Sequence, residues 1–202
     1  TGFLENPGER FFAILLDENG NHKLFLNILF PLEEDLGLEI VSYSDTDDII
    51  SKVAEYIPDG TKLGIDKILP ARFLLPLMDK LPKTKFVDVS VLVDTTRMLK
   101  DEEEKELMRI SSELNDKACQ FVIDNITEHT TEKDLVKKLL AYYEEIGVEG
   151  TSFPPIIAFG DNGANPHGMP GDRKPKPGES VIVDIGGIKD KYCSDMTRTV
   201  FF

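Results

Sequence analysis

Two aspartates, Asp184 in VIVDIGG and Asp195 in SDMTRT, stand in strand-like apolar runs with ten residues between them. A carboxylate in such a run is costly to desolvate unless something answers its charge. Folding residues 181–202 as a hairpin with a two-residue turn at Lys189-Asp190 would set the two directly opposite. Their Cβ atoms would then be about 5 Å apart. Carboxylates that close either share a proton or hold a cation. Hard oxygen donors suit manganese, cobalt, zinc or magnesium, and ions about 3.5–4 Å apart would support two-metal hydrolysis. Spacing alone leaves a second arrangement open, with the two residues on opposite faces or at a solvated edge and a bulge at Gly186-Gly187. His167 lies in a Gly/Pro loop just upstream and is the histidine whose setting looks built for chemistry. Spacing does not by itself bring it to the aspartates. His22, beside a turn, and His129, at a helix boundary, read as surface residues.

Elements that could hold these residues follow from the patterning. FFAILL, then an Asn-Gly turn, then HKLFLNILF reads as a hairpin. Residues 44–57 have helical apolar spacing, with cap candidates at Ser44 to Thr46 and a stop at Pro58-Asp59-Gly60. TKLGID is a strand. ARFLLPLMDKL is a helix that Pro76 either kinks or enters in its first turn. KFVDVSVLV is a further strand. Alternating strands and helices make residues 1–93 a small α/β domain. A long helix then spans TTRMLKDEEEKELMRISSELNDKACQFVIDNI, with Leu107, Ile110, Leu114, Ala118, Phe121 and Val122 recurring every three or four positions. The acids from Asp101 to Glu104 read as its start, favoured there by the helix dipole, and not as a metal site. A second helix runs from a cap at Thr130 or Thr131 to Gly147. A strand in TSFPPIIAF leads into the His167 loop, and the two aspartate-bearing runs close the second domain, residues 94–202.

Composition limits the partners. The 202 residues carry 37 acidic and 23 basic side chains, a net charge of −14. A surface for nucleic acid or anionic membrane needs clustered Lys and Arg, so both are excluded. No apolar run approaches the roughly 18 residues of a membrane span. Two distant cysteines, Cys119 and Cys193, give no disulfide framework and no Cys-x-x-Cys site, which fits a reducing cytoplasm. Neither Met nor a signal peptide opens the chain, whose first residues read as taken up mid-course.

Asn165-Pro166-His167-Gly168, Val183-Asp184-Ile185-Gly186 and Tyr192-Cys193-Ser194-Asp195-Met196-Thr197-Arg198-Thr199, in this order and spacing, closely resemble the Xaa-Pro peptidases. These are the aminopeptidase P and prolidase members of the pita-bread-fold metallopeptidases. The first part also resembles the N-terminal domain shared with creatinase. The resemblance implies an α/β creatinase-like domain followed by the first half of an α+β pita-bread catalytic domain. It further implies that Asp184 is a bidentate ligand of one divalent ion and that Asp195 bridges two. His167 would contact the substrate at the scissile bond and stabilise the tetrahedral intermediate. Thr197, two residues past Asp195, would support the ligands from behind, and Phe153 would line the substrate pocket. The expected cofactor is a pair of divalent ions, manganese first, with cobalt or zinc as alternatives.

The expected substrate is a proline-containing peptide cut before proline at its N-terminus, aminopeptidase P-like, by a homodimer or larger assembly. A prolidase-type dipeptidase, a metal-free hydrolase of the creatinase kind and a non-enzymatic protein-binding relative are the alternatives. Retention of both aspartates weighs against the last two. Members of the family also use a downstream His and two Glu, and a helix and strand ahead of the TGF-like segment. Residues 1–202 are therefore expected to be a fragment short at both ends, inactive by itself.

Overall fold

The computed structural model describes residues 8–32 and 35–202; the opening TGF segment lies outside the described residues. The chain divides into two compact units, Thr1–Met98 and Leu99–Phe202.

In the first unit, β1 (Ala13–Leu15), β2 (Lys23–Asn27) and β3 (Glu39–Tyr43) form one sheet in the order β1-β2-β3. The anticipated hairpin is there, with β1 antiparallel to β2, and β3 joins in parallel. Helix α1 (Ile49–Glu55) is capped by Asp48, whose Oδ1 accepts from the Ser51 N–H at 3.1 Å. The cap expected at Ser44 to Thr46 is thus displaced. Those residues close a turn of their own, in which the Ser44 N–H donates to Asp47 Oδ2 at 2.6 Å. Strand β4 (Lys62–Ile65) pairs in parallel with β5 (Lys85–Asp88) across α2 (Ala71–Lys80), and Pro76 lies inside that helix. The strand expected over KFVDVSVLV stops at Asp88. The Asp88 carboxylate accepts from the Ser90 N–H at 2.8 Å and turns the chain into α3 (Ser90–Met98). That local side-chain bond outcompetes the β preference of the following valines. Phe11, Phe25, Tyr43, Val53 and Leu77 share this unit's core.

The second unit opens with α4 (Glu102–Asp124). Asp101 and Glu104 form a reciprocal capping box at its start, so the acidic run is a helix start as read. Residues 95–98, expected to begin this helix, belong to α3. Helix α5 (Glu132–Glu145) is capped in the same way by Thr131 and Asp134. Then come β6 (Gly150–Thr151), β7 (Ile156–Phe159), a 3-10 turn (Gly160–Ala164), β8 (Ser180–Ile185), β9 (Gly187–Lys189), β10 (Tyr192–Cys193) and β11 (Met196–Phe201). Two antiparallel sheets result, in the orders β11-β8-β7 and β10-β9-β6.

Ala118, Cys119 and Val122 of α4 and Leu135, Leu139 and Tyr143 of α5 pack on Ile157, Phe159, Val181, Val183 and Ile185. Each large apolar side chain buried there contributes about 1.5–3 kcal/mol. No helix among the described residues is long and apolar enough to cross a membrane.

Candidate metal centre

Strand β8 alternates. Val181, Val183 and Ile185 are fully buried in the helix-facing core, so Ser180, Ile182 and Asp184 point to the other face. Asp184 is opposite Ile156 of β7 and Thr197 of β11. The Thr197 hydroxyl donates to Asp184 Oδ1 at 2.6 Å, which holds one carboxylate oxygen in place. Asp184 therefore lies on a half-exposed sheet face with one lone pair already used and the rest free to meet a cation.

The expected face-to-face pairing of Asp184 with Asp195 does not occur. The turn is one residue further on, at Asp190-Lys191, both with left-handed φ of 48° and 67°. Lys189 then pairs with Tyr192 and Ile188 with Cys193. This is the backbone of the two-residue turns that match strand twist, and it shifts every cross-strand partner by two, so that Thr197 and not Asp195 faces Asp184. Asp195 lies between β10 and β11, two residues before Thr197, and its side chain is exposed.

Its position is set by a knot of backbone and serine oxygens. The ladder is interrupted at Gly186, between β8 and β9, but Ile185 facing Met196 and Ile188 facing Cys193 keep one register, so the glycine pair makes no bulge. The Ser194 N–H donates to the Gly187 carbonyl at 2.8 Å, and Ser152 Oγ donates to the Ser194 carbonyl at 2.7 Å. The Ser152 N–H donates to the Gly186 carbonyl at 3.0 Å. A Cβ on Gly186 would run into Ser152 Oγ, the Ser194 carbonyl and the Phe153 ring, so this close approach requires glycine. Behind the same junction, Asn115 Nδ2 donates to the Ile185 carbonyl at 3.0 Å and Tyr143 Oη donates to Asn115 Oδ1 at 2.7 Å. Burial pushes the Tyr143 phenol well up from its ordinary range.

His167 is exposed on the loop that follows the 3-10 turn. Its backbone N–H donates to Asn165 Oδ1 at 3.1 Å and the Gly168 N–H donates to the Asn165 carbonyl at 3.0 Å. His167, Asp184, Asp195 and Phe153 line one cavity of about 380 Å³, together with Pro154, Ile156, Pro166 and Met169. Thr197 reaches that group through Asp184. His22 is partly buried, not a plain surface residue, and its Nδ1 accepts from the Asp17 N–H at 3.2 Å. His129 is exposed and stands within 3.3 Å of Glu128.

Several contributors escaped the sequence reading. Ser111 and Asn115 are buried within the apolar stripe of α4, where counting hydrophobes passes over them. Ser152 and Ser194 fix Asp195 through backbone atoms, which no side-chain spacing reveals. Glu132 directly follows its capping threonine and reads as an ordinary helix-start acid, yet it is fully buried.

Chemically the cavity offers two carboxylates, an imidazole and apolar rings. Among the described residues no three His, Cys, Asp or Glu side chains converge as a group to hold a metal. Two carboxylates, one steadied by a hydroxyl, fit a divalent ion as part of its ligand set.

Comparison with known proteins follows the two units. Residues 1–99 match the creatinase/prolidase N-terminal domain and residues 106–202 match metallopeptidase family M24. An uncharacterized peptidase of Staphylococcus saprophyticus is 34% identical over 206 residues, covering all of this chain and 58% of the relative. Prolidase from Thermococcus sibiricus is 32% identical with a TM-score of 0.87, matched over 100% of this chain and 57% of its own. An X-Pro aminopeptidase from Thermotoga maritima, 24% identical with a TM-score of 0.79, has the same fold over 95% of this chain and 55% of its own. The chain thus spans little more than half the length of the relatives it matches.

Proposed function

The chain belongs to metallopeptidase family M24, behind a creatinase/prolidase-type N-terminal domain, and from that membership we propose that the full-length protein hydrolyses the peptide bond before proline at a peptide's N-terminus. The observation that carries this is the cavity gathering His167, Asp184 and Asp195 against Phe153, Pro154 and Pro166. Asp184 and Asp195 would hold divalent ions, manganese first, through hard oxygen donors, and further ligands would come from outside the described residues. Such ions supply Lewis-acid polarisation of the scissile carbonyl and activation of water.

The chain's own side chains do the rest. Thr197 keeps Asp184 in one rotamer by donating to Oδ1. The apolar rings receive the substrate's pyrrolidine and exclude bulk water from the carboxylates. His167 stands at the rim of the same cavity, where an imidazole N–H donates to the oxygen on which charge develops.

A second reading is a dipeptidase that accepts nothing beyond the proline; the likeness to the Thermococcus sibiricus prolidase favours it. One assay separates the readings. Full-length protein loaded with Mn²⁺ is given Ala-Pro and Ala-Pro-Ala-Ala, wild type beside Asp195→Ala. Cleavage of the longer peptide before proline, lost in Asp195→Ala, supports the aminopeptidase reading, and cleavage of the dipeptide alone supports the second. Equal Mn²⁺ binding by both proteins, or no cleavage of either peptide, refutes the proposal.

A further inference from the structure

Glu132 is the first residue of α5 and has no solvent exposure. Its Oε1 accepts from the Phe159 N–H at 2.8 Å and from Asn162 Nδ2 at 3.0 Å. Its Oε2 accepts from the Gly171 N–H at 2.7 Å and from the same Asn162 amide at 3.0 Å. The backbone adds to this. The Glu132 N–H donates to the Arg173 carbonyl at 3.2 Å and the Lys133 N–H to the Gly171 carbonyl at 3.1 Å.

A buried carboxylate is an expensive element, and a well-packed apolar residue often replaces one without loss. Here the four bonds to it come from three uncharged donors, all on one stretch of chain. Phe159 stands at the near end of the His167 loop, Asn162 in its 3-10 turn and Gly171 at the far end. One side chain therefore fastens both ends of a segment that packs few apolar groups of its own. The positive end of the α5 dipole, where Glu132 sits, makes the charge tolerable there. From Asn162 the order passes inward. The Asn165 N–H donates to the Asn162 carbonyl at 3.2 Å, and Asn165 Oδ1 takes the His167 N–H.

We propose that Glu132 is a positioning residue that clamps the loop of residues 159–171 onto the N-terminus of α5 and so holds His167 at the cavity of Asp184 and Asp195. This rests on the reading of that cavity given above. The charge itself is required. Glutamine has almost the same shape, but its amide would turn an N–H₂ towards the Phe159 N–H or the Gly171 N–H, donor against donor. Only a carboxylate accepts all four bonds.

The test uses full-length protein with Mn²⁺ and compares wild type, Glu132→Gln, His167→Ala and the double variant. In Glu132→Gln, hydrogen exchange should accelerate across residues 160–171, with α4 unchanged. Mn²⁺ affinity should stay within about twofold, because neither aspartate is touched. On an Xaa-Pro peptide, kcat should fall roughly 10- to 100-fold, the scale of a misplacement of about 1 Å. The double variant should be scarcely slower than His167→Ala alone, since a lost histidine cannot be misplaced further. Fully multiplicative losses, or Mn²⁺ affinity falling in step with kcat, would overturn the proposal. If the wild type cleaves no Xaa-Pro peptide, the functional reading fails while the clamp is still judged by exchange; unchanged exchange in Glu132→Gln sinks it. Should Glu132→Gln not fold, Asn162→Ala removes two of the four bonds and must show the same faster exchange to a smaller degree, and unchanged exchange there counts equally against the clamp.

Discussion

Gly186→Ala puts the junction of the site to its hardest test. The added methyl group meets three atoms at once: Ser152 Oγ, the Ser194 carbonyl oxygen and Cε1 of Phe153. The hydroxyl and the ring can rotate away. The carbonyl cannot, because it accepts from Ser152 Oγ and its own residue's N–H is bonded to Gly187. Relief requires β10 to part from β9. Overpacking costs about 1–3 kcal/mol, and a backbone clash belongs at the upper end. For a unit of this size about 1 kcal/mol shifts Tm by about 4–8 °C, so the melt should move down by about 10–20 °C. Because Asp195 follows Ser194 directly, its carboxylate moves relative to Asp184, and Mn²⁺ affinity should fall about 10- to 100-fold, as when the supports of metal ligands are lost. Gly150→Ala is the control, since a Cβ there meets nothing within 4 Å. Thermal melts by circular dichroism and Mn²⁺ titration calorimetry read both effects. A Gly186→Ala melt within about 2 °C of wild type and of the control, with equal Mn²⁺ affinity, would refute the close approach and its link to Asp195.

Other perturbations separate the remaining parts. Thr197→Val keeps shape but loses the donor to Asp184 Oδ1; Mn²⁺ affinity should drop about 10- to 100-fold with stability within about 0.5 kcal/mol, because Thr197 is exposed. Tyr143→Phe leaves the buried Asn115 Oδ1 without its donor and should cost about 1–3 kcal/mol in urea unfolding. The Tyr143 phenol, raised by burial and then by nearby Cys119, also sets an alkaline limit. Above about pH 10 the unfolded phenol ionises first, so the unfolded state gains and stability declines as pH rises towards the folded pKa. Urea midpoints from about pH 9 to 11 should fall more steeply for wild type than for Tyr143→Phe, and parallel slopes would assign the decline to other groups.

The elements carried by strong periodicity were legible. The hairpin of β1 and β2, the helix starts at Asp101 and Thr131 and the strand of β8 all follow from local rules about turns, caps and alternation. Two of the misreadings share one cause, a side chain bonding the backbone of a near neighbour. Asp47 closes a turn with Ser44 and delays α1, and Asp88 takes the Ser90 N–H and ends β5 before three valines that favour strand. Such bonds span two or three residues and leave apolar periodicity unchanged, so pattern reading passes over them. At the candidate site, Asp184 and Asp195 were conspicuous because carboxylates in apolar runs ask for a partner. Glu132, Asn115 and Ser194 were not, since each matters only through the distant backbone it bonds.

The register error at the aspartates is instructive because of what the true register does. Directly opposed residues would hold their Cβ atoms about 5 Å apart, whereas diagonal positions in a regular ladder are about 7–8 Å apart. With Thr197 opposite Asp184 and Asp195 two residues before Thr197, the acids are on the diagonal side of the ladder. Coulomb repulsion falls with distance, so the wider placement lowers the cost of holding two like charges on one face before any cation arrives. It also frees the opposed position for a residue that helps. Threonine there can donate to Asp184, which a second carboxylate could not do. The residue that ladder order would set across from Asp195 is Gly186, where a side chain has no room. One turn, advanced by one residue, thus separates the charges, supplies one of them with a hydroxyl donor and faces the other with the glycine the knot requires.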